Sequence, residues 1–358
     1  MRILVTGGVG YIGSHTSKIL KEHGHKVLIL DNLSRGFPEV AHNALKLPLI
    51  IGDVGNKELL KKILSGKHMS LLGTDFENKP IEAIIHFAAV AYVNESVKKP
   101  LKYYQNNLSE TINLLEVICD ENFYKSCGLN SPVPIVFSST CATYGIPTKL
   151  PITELHPQNP INPYGRSKLF IEYVLKDLSI SSNLNSVILR YFNAAGASED
   201  TLIGENHDPE THLIPLALKA AIFKKSDLKI FGNDYDTDDG TCIRDYIHVV
   251  DLADAHLKSL YKIMENRSDQ GSNSLIYNLG NDLGISVKEI LLSVEKVTGN
   301  KVPFKYESRR EGDPPILFAS SEKIKNELSW LPKFSNIDTI INHAFKWELK
   351  KISNKNAN

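Results

Sequence analysis

Six short apolar runs recur through the first 190 residues: Ile3–Val5, Val27–Leu30, Leu49–Ile51, Ala83–His86, Ile135–Phe137 and Val187–Leu189. Each is rich in β-branched residues and apolar without alternation, so a strand made from it must be covered on both faces. Amphipathic, helix-like stretches fill the intervals. Strands buried on both faces and separated by helices predict a doubly wound parallel sheet, an α/β fold of the Rossmann type. From about Ala195 the pattern loosens into helical segments such as Leu213–Phe223 and Val287–Thr298, set between polar, proline-marked loops. A smaller α/β domain follows from this. The expected division is 1–194 and 195–350, with segments around 243–280 returning to the first domain. Ser65–Pro80 and Asn122–Pro134 read as surface excursions, and Lys350–Asn358 as a frayed polar tail.

Composition narrows the function classes. The 358 residues are 42% hydrophobic and 23% charged, and no stretch approaches the roughly 18 apolar residues of a membrane span. Lys plus Arg equals Asp plus Glu at 41 each, so no global field draws nucleic acid or an anionic membrane, and any anion site must be local. The chain enters at once into Arg2-Ile3-Leu4-Val5-Thr6 with no leader pattern, and a cytoplasmic location is expected. Cys119, Cys127, Cys141 and Cys242 show no metal-ligand spacing and read as buried free thiols in a reducing compartment. The twelve histidines contain no HExxH, and no metal site is expected.

Thr6-Gly7-Gly8-Val9-Gly10-Tyr11-Ile12-Gly13 follows the first apolar run directly and opens a helix-like segment. Gly8, Gly10 and Gly13 thus meet GxGxxG in the context it requires. Without Cβ atoms such a loop can approach a pyrophosphate seated on the helix N-terminus. A tight strand-to-helix turn would need the same glycines. Asp31 favours the cofactor reading, because it ends the second run 18 residues after Gly13, close to the spacing of about 20 for a ribose-binding acid. Its carboxylate suits ribose hydroxyls and repels a 2′-phosphate, favouring NAD over NADP, although Arg35 lies near enough to keep NADP open. Asp53, just after the third run, is placed to touch the adenine or to cap a helix.

Tyr164-Gly165-Arg166-Ser167-Lys168 puts a phenol and an ammonium four residues apart, on one helical face. Alone, this spacing more often marks a solvated surface. Here it lies downstream of the glycine loop and of Phe137-Ser138-Ser139-Thr140, at the carboxyl end of a central strand. Ligands of open α/β sheets bind at those ends, so Thr140 and the Tyr164 helix can converge on one reacting group. A nearby Lys⁺ favours the phenolate and makes Tyr164 a usable base near neutrality.

Further segments extend the pattern: Leu30 to Ser34, His86-Phe87-Ala88-Ala89, Glu95-Ser96-Val97, Pro100-Leu101-Lys102-Tyr103-Tyr104, Asn162-Pro163-Tyr164-Gly165, and Leu189-Arg190-Tyr191-Phe192-Asn193. Phe231 to Tyr235, Asp239-Gly240-Thr241, Arg244-Asp245-Tyr246-Ile247-His248 and Arg309 to Asp313 continue it in the second half. Together these resemble the extended short-chain dehydrogenase/reductase family over nearly the whole chain, and within it the branch of UDP-galactose (UDP-glucose) 4-epimerases.

The resemblance implies reversible C4 epimerisation of a UDP-sugar through a transient 4-keto form, with NAD retained. It casts Tyr164 as base, Lys168 as holder of the nicotinamide ribose and Thr140 as proton relay. Cofactor contacts are implied at Gly7, Gly10, Tyr11, Ile12, Gly13, Asp31, Asn32, Ser34, Gly36, Asp53, Val54, Phe87, Ala88, Ala89, Asn106, Ser138, Tyr164, Lys168 and Phe192. UDP-sugar contacts are implied at Thr140, Tyr164, Asn193, His212, Leu213, Lys229, Ile230, Phe231, Arg244, Tyr246, Arg310, Asp313 and Leu317, most of them in the UDP-sugar-binding second domain. Arg244 and Arg310 match pyrophosphate ligands, a role suited to a guanidinium fork. A homodimer through helices around Asn106–Val117 and Tyr164–Leu178 is also implied.

Departures from the pattern bear on the sugar. Ala91 stands where Lys is common and Asn94 where Gly is, and the run Val90-Ala91-Tyr92-Val93 resembles UDP-arabinose 4-epimerases as well as some bacterial galactose epimerases. Leu317 replaces a pocket-closing Tyr, and room beside C2 for an N-acetyl group is expected. His212 replaces a more usual Asn. A 4,6-dehydratase would need an acid pair after Thr140, where this chain has Cys141 and Ala142. An NAD-binding redox sensor would have no use for Thr140, Tyr164 and Lys168 together.

Overall fold

The structure is a computed structural model and describes residues 1–67, 75–225, 227–265, 274–310 and 313–356. The apolar runs form strands β1 (Arg2–Thr6), β2 (Lys26–Asp31), β3 (Leu49–Ile51), β4 (Ala83–His86), β5 (Ile135–Ser138) and β6 (Ser186–Tyr191). With Ser274–Leu279 they make a seven-stranded sheet in the order Ser274–Leu279, β6, β5, β4, β1, β2, β3. Pairing is parallel from β3 to β6, as both-face burial requires. The order reverses at β1, and a topological switch point of this kind opens a crevice at the carboxyl ends of the strands. Leu4, Leu28, Ile84, Ile135 and Ile188 pack on one face against Leu114, Ile118, Ile171 and Leu175 of the covering helices. Their neighbours Ile3, Val5, Ile29, Ile85 and Val187 are buried on the other.

The chain divides into two compact units. The first comprises Met1–Gly145, Pro157–Arg190 and Ala253–Tyr277; the second comprises Ile146–His156, Tyr191–Leu252 and Asn278–Asn358. The second has its own core, in which Ile214, Leu218, Ala221, Ile290, Val294, Ile340 and Ile341 interlock from three helices: Leu213–Phe223, Val287–Thr298 and Ile337–Asn356. Short two- and three-stranded sheets complete it.

Two local expectations change. Asn122–Pro134 begins in a helix, Glu121–Ser126, because Asp120 caps it by accepting from Phe123 N. The 65–80 excursion is described only in part, residues 68–74 lying outside the described residues. The carboxyl-terminal segment stays helical to Asn356, and Lys350 Nζ donates to Thr201 O at 2.8 Å, so the tail is tied down through residues the polar composition could not reveal. Among the described residues no helix is long and apolar enough to cross a membrane.

Candidate active site

Helix α1 (Tyr11–Glu22) starts immediately after the glycine loop. A Cβ at Gly13 would meet Gly7 O at 2.2 Å, so only glycine lets the helix begin this close to the strand. Gly10 differs, since a Cβ there would meet only Gly7 O, at 3.2 Å. Its bareness keeps open space beside a helix N-terminus that no side chain caps, a site suited to an anion.

Asp31 lies buried at the end of β2. Its carboxylate accepts from Val9 N at 3.2 Å and Leu33 N at 2.9 Å, tying the glycine loop to the strand end. Burial raises its pKa, and the two backbone donors oppose that rise. Asn32 Nδ2 donates to Asp53 Oδ1 at 2.7 Å, while the cap of α2 (Lys57–Ser65) is Asn56, so Asp53 is not the helix cap. A cleft of about 380 Å³ lined by Asn32, Ser34, Arg35, Val90, Lys102, Gln105, Asn106 and Glu110 opens in this unit. Arg35 stacks on the Tyr92 ring at 4.5 Å and pairs with Glu95 at 3.5 Å. An acid held at the strand end, an uncapped helix start and the open space at Gly10 fit a dinucleotide without a 2′-phosphate.

Thr140, Tyr164 and Lys168 all belong to the first unit, where the helix that carries Tyr164 and Lys168 packs on the turn after Thr140. Asn162 caps the helix Pro163–Ser181 by accepting from Gly165 N at 2.8 Å, and Pro163 presets its first turn. A Cβ at Gly165 would meet Ala142 O at 2.4 Å. This glycine therefore lets the helix press on the Cys141–Thr143 turn that Thr140 caps. Lys168, 3% exposed, donates to Ser138 O at 2.8 Å and lies 4.8 Å from the Phe137 ring centroid. Burial lowers its pKa to about 7, with the Glu172 carboxylate opposing. Tyr164 stands edge-on to Tyr103, ring centroids 6.4 Å apart.

Two positioning residues escaped the sequence reading. Asn107 lies in a π-helical turn, Tyr104–Ser109; its Oδ1 accepts from Val90 N at 2.9 Å, and its Nδ2 donates to Val90 O and Ser167 Oγ, each at 3.0 Å. Glu172, fully buried, accepts from Ser139 Oγ at 2.5 Å, from Gln158 Nε2 at 3.0 Å and from the Arg190 guanidinium, which also donates to Tyr144 OH at 2.9 Å. Its i+4 spacing from Lys168 was the available signal, but its partners come from distant segments.

The second unit gathers most of the other expected residues. Arg244 pairs with Asp313 and donates to Ile243 O at 2.7 Å. Leu317 lies in register with Arg244 on paired strands. The Arg310 guanidinium sits 4.0 Å from the Phe231 ring centroid. Burial raises the pKa of the enclosed Tyr246 phenol. Asn193 Nδ2 donates to Asp245 O at 3.0 Å. Leu213 opens its helix and His212 occupies the cap position. Lys229 pairs with Glu307 at 3.0 Å, and Ile230 points into the core from a strand paired with Phe304–Glu307. Phe192 is buried, and Glu311 and Gly312 lie outside the described residues.

Residues 3–280 match the model of the NAD dependent epimerase/dehydratase family. The chain is 45% identical over 348 residues to UDP-glucose 4-epimerase of Streptococcus mutans, covering 97% of this chain and 96% of that one. It superposes on the crystal structure of UDP-glucose 4-epimerase from Brucella ovis in complex with NAD with a TM-score of 0.84 at 42% identity, covering 96% and 97% of the two chains. With the UDP-Glc/GlcNAc 4-epimerase of Campylobacter jejuni the TM-score is 0.78 at 39% identity, covering 98% and 99%. Fold, glycine loop and full-length similarity agree: the chain belongs to the NAD dependent epimerase/dehydratase family, and its cofactor is NAD.

Proposed function

We propose that this protein interconverts UDP-glucose and UDP-galactose by inverting C4. The observation that supports this reading is the packing of the helix bearing Tyr164 and Lys168 against the turn that Thr140 caps, which Gly165 permits, with Lys168 buried on Ser138 O. Tyr164 takes the proton of the C4 hydroxyl and returns it. Thr140 hydrogen-bonds the same oxygen, and Lys168 favours the ionised phenol while holding the nicotinamide ribose. Bound NAD supplies a hydride acceptor and then donor at C4, so the sugar passes through a 4-keto form. The glycine loop holds the pyrophosphate of NAD and Asp31 its adenosine ribose. Arg244 and Arg310 hold the UDP phosphates, so the sugar can turn while the nucleotide stays fixed. The dehydratase alternative lacks its acid pair, because Cys141 and Ala142 follow Thr140.

A second reading has support from Leu317, which lies in register with Arg244; a leucine in place of a tyrosine would leave room for an N-acetyl group at C2. UDP-N-acetylhexosamines are then substrates as well. A homodimer is the proposed assembly: Leu101, Phe170 and Tyr173, on the helical segments 100–119 and 163–181, are 81%, 42% and 47% exposed. The proposed compartment is the cytoplasm, where thiols such as Cys119, Cys127 and Cys242 stay reduced.

The deciding assay incubates purified protein with UDP-glucose, UDP-galactose, UDP-GlcNAc, UDP-xylose and UDP-arabinose. Conversion of UDP-galactose to UDP-glucose is the expected result. Stoichiometric bound NAD with no epimer or keto product from any sugar would overturn the reading in favour of an NAD-binding sensor. Turnover of UDP-glucose without turnover of UDP-GlcNAc would remove the second reading alone.

A further inference from the structure

We propose that Glu205, His207, Glu210 and His212 form a binding site for one divalent transition-metal ion of the zinc class, clamping the loop before helix Leu213–Phe223. The residues follow an E-x-H-x-x-E-x-H order, which an HExxH search passes over. Each offers one ligand atom, and the four atoms lie within 4.8 Å of one another. His207 Nδ1 is 3.1 Å from Glu205 Oε1 and 3.8 Å from Glu210 Oε1, and His212 Nδ1 is 3.5 Å from Glu210 Oε1 and in contact with Glu205 Oε1. Metal–ligand bonds of about 2.0–2.1 Å in a tetrahedron set ligand atoms roughly 3.3 Å apart, so small side-chain adjustments convert this cluster into a four-coordinate shell.

The second, independent observation is Glu210 itself. Its side chain is only 4% exposed, and Oε2 is buried with no hydrogen-bond partner among the described residues. Oε1 already accepts from two backbone N–H groups, so Oε2 is the oxygen left to take a cation, which would relieve the cost of leaving it unmet. Two carboxylates with two neutral imidazoles carry two negative charges, which one divalent ion cancels. Imidazole nitrogen with carboxylate oxygen suits zinc and its first-row neighbours better than calcium or magnesium.

The surroundings hold the ligands in place. Trp347 Nε1 donates to Glu205 O at 2.8 Å, and a Cβ at Gly204 would meet the Trp347 ring at 2.5 Å, so the helix Ile337–Asn356 fixes the first ligand. Glu210 Oε1 accepts from Thr211 N at 2.8 Å and His212 N at 2.9 Å, orienting the second carboxylate. Preset ligands of this kind lower the cost of binding.

The test uses tag-free, full-length protein with its NAD, stripped with a chelator, given one equivalent of Zn²⁺ and dialysed. Elemental analysis should find about one zinc per chain in the wild type and less than about a tenth of that in Glu210→Gln and His207→Gln, with Zn²⁺ raising the melting temperature of the wild type only. Co²⁺ in the same position should give the strong visible absorption of a four-coordinate ion. A wild type that keeps no zinc, or variants that keep as much as the wild type, would overturn the site and assign the cluster to hydrogen bonding alone. Metal content is read without substrate, so the outcome is independent of which sugar the enzyme turns over.

Discussion

His86 shows how burial sets chemistry at a single position. Thr111 Oγ1 donates to Asn107 O at 2.6 Å and so accepts from His86 Nε2 at 2.9 Å, which leaves Nδ1 to accept from Thr6 Oγ1 at 2.6 Å. The ring is neutral, and burial, with Lys168 adding to it, lowers its pKa to about 3. In the unfolded chain a histidine titrates near 6.5. Between these values the unfolded state binds the extra proton, so stability falls as pH drops from about 6.5 towards 3. His86→Gln should flatten the pH dependence of unfolding free energy in that window by up to about 1.4 kcal/mol per pH unit, read from denaturant midpoints. An unchanged slope would mean that the imidazole is not held neutral. At Tyr164 the expectation is catalytic: Tyr164→Phe should lower kcat by about 10²- to 10⁴-fold while bound NAD is retained. Near-normal turnover would remove Tyr164 from proton transfer.

At the scale of elements, the helix Pro163–Ser181 is positioned by a cap, a glycine and a buried ion pair. Gly165→Ala drives a methyl group into Ala142 O. The helix should move off the Thr140 turn, with a stability loss of about 1–3 kcal/mol and a fall in kcat larger than any change in KM. Equal kcat in the variant would show that the close approach is dispensable. Glu172→Gln removes the partner of a buried guanidinium and should destabilise the fold by about 3–5 kcal/mol in denaturant titrations. A loss below about 1 kcal/mol would mean that Arg190 finds its compensation elsewhere. YxxxK spacing was legible because it is local. The partners of Glu172 were not, because Ser139, Gln158 and Arg190 meet it only after β5 and β6 are in register.

For the whole molecule, the exposed apolar residues of the 100–119 and 163–181 segments set the expected assembly. Wild-type protein should sediment as a dimer, and Leu101→Glu with Phe170→Glu as a monomer, since charges in an apolar interface core go unpaired. A monomeric wild type would sink the assembly proposal. Each compact unit has its own core residues, and the first is assembled from three separate stretches of chain. Loosening of the apolar pattern near Ala195 signals a change of architecture, but the inclusion of Ala253–Tyr277 in the first unit depends on contacts far apart in sequence.

The sequence by itself determined the parallel α/β sheet and the glycine turn at its first strand, because these follow from apolar runs, Cβ-free positions and local spacing. It also carried the order in which Thr140, Tyr164 and Lys168 appear along the chain. Tertiary structure alone decided that Lys168 loses its water, that Glu172 and Arg190 pair, and that four ligand-bearing side chains before Leu213 face one another. Burial and charge pairing depend on which distant segments share a neighbourhood, and local spacing carries no record of that.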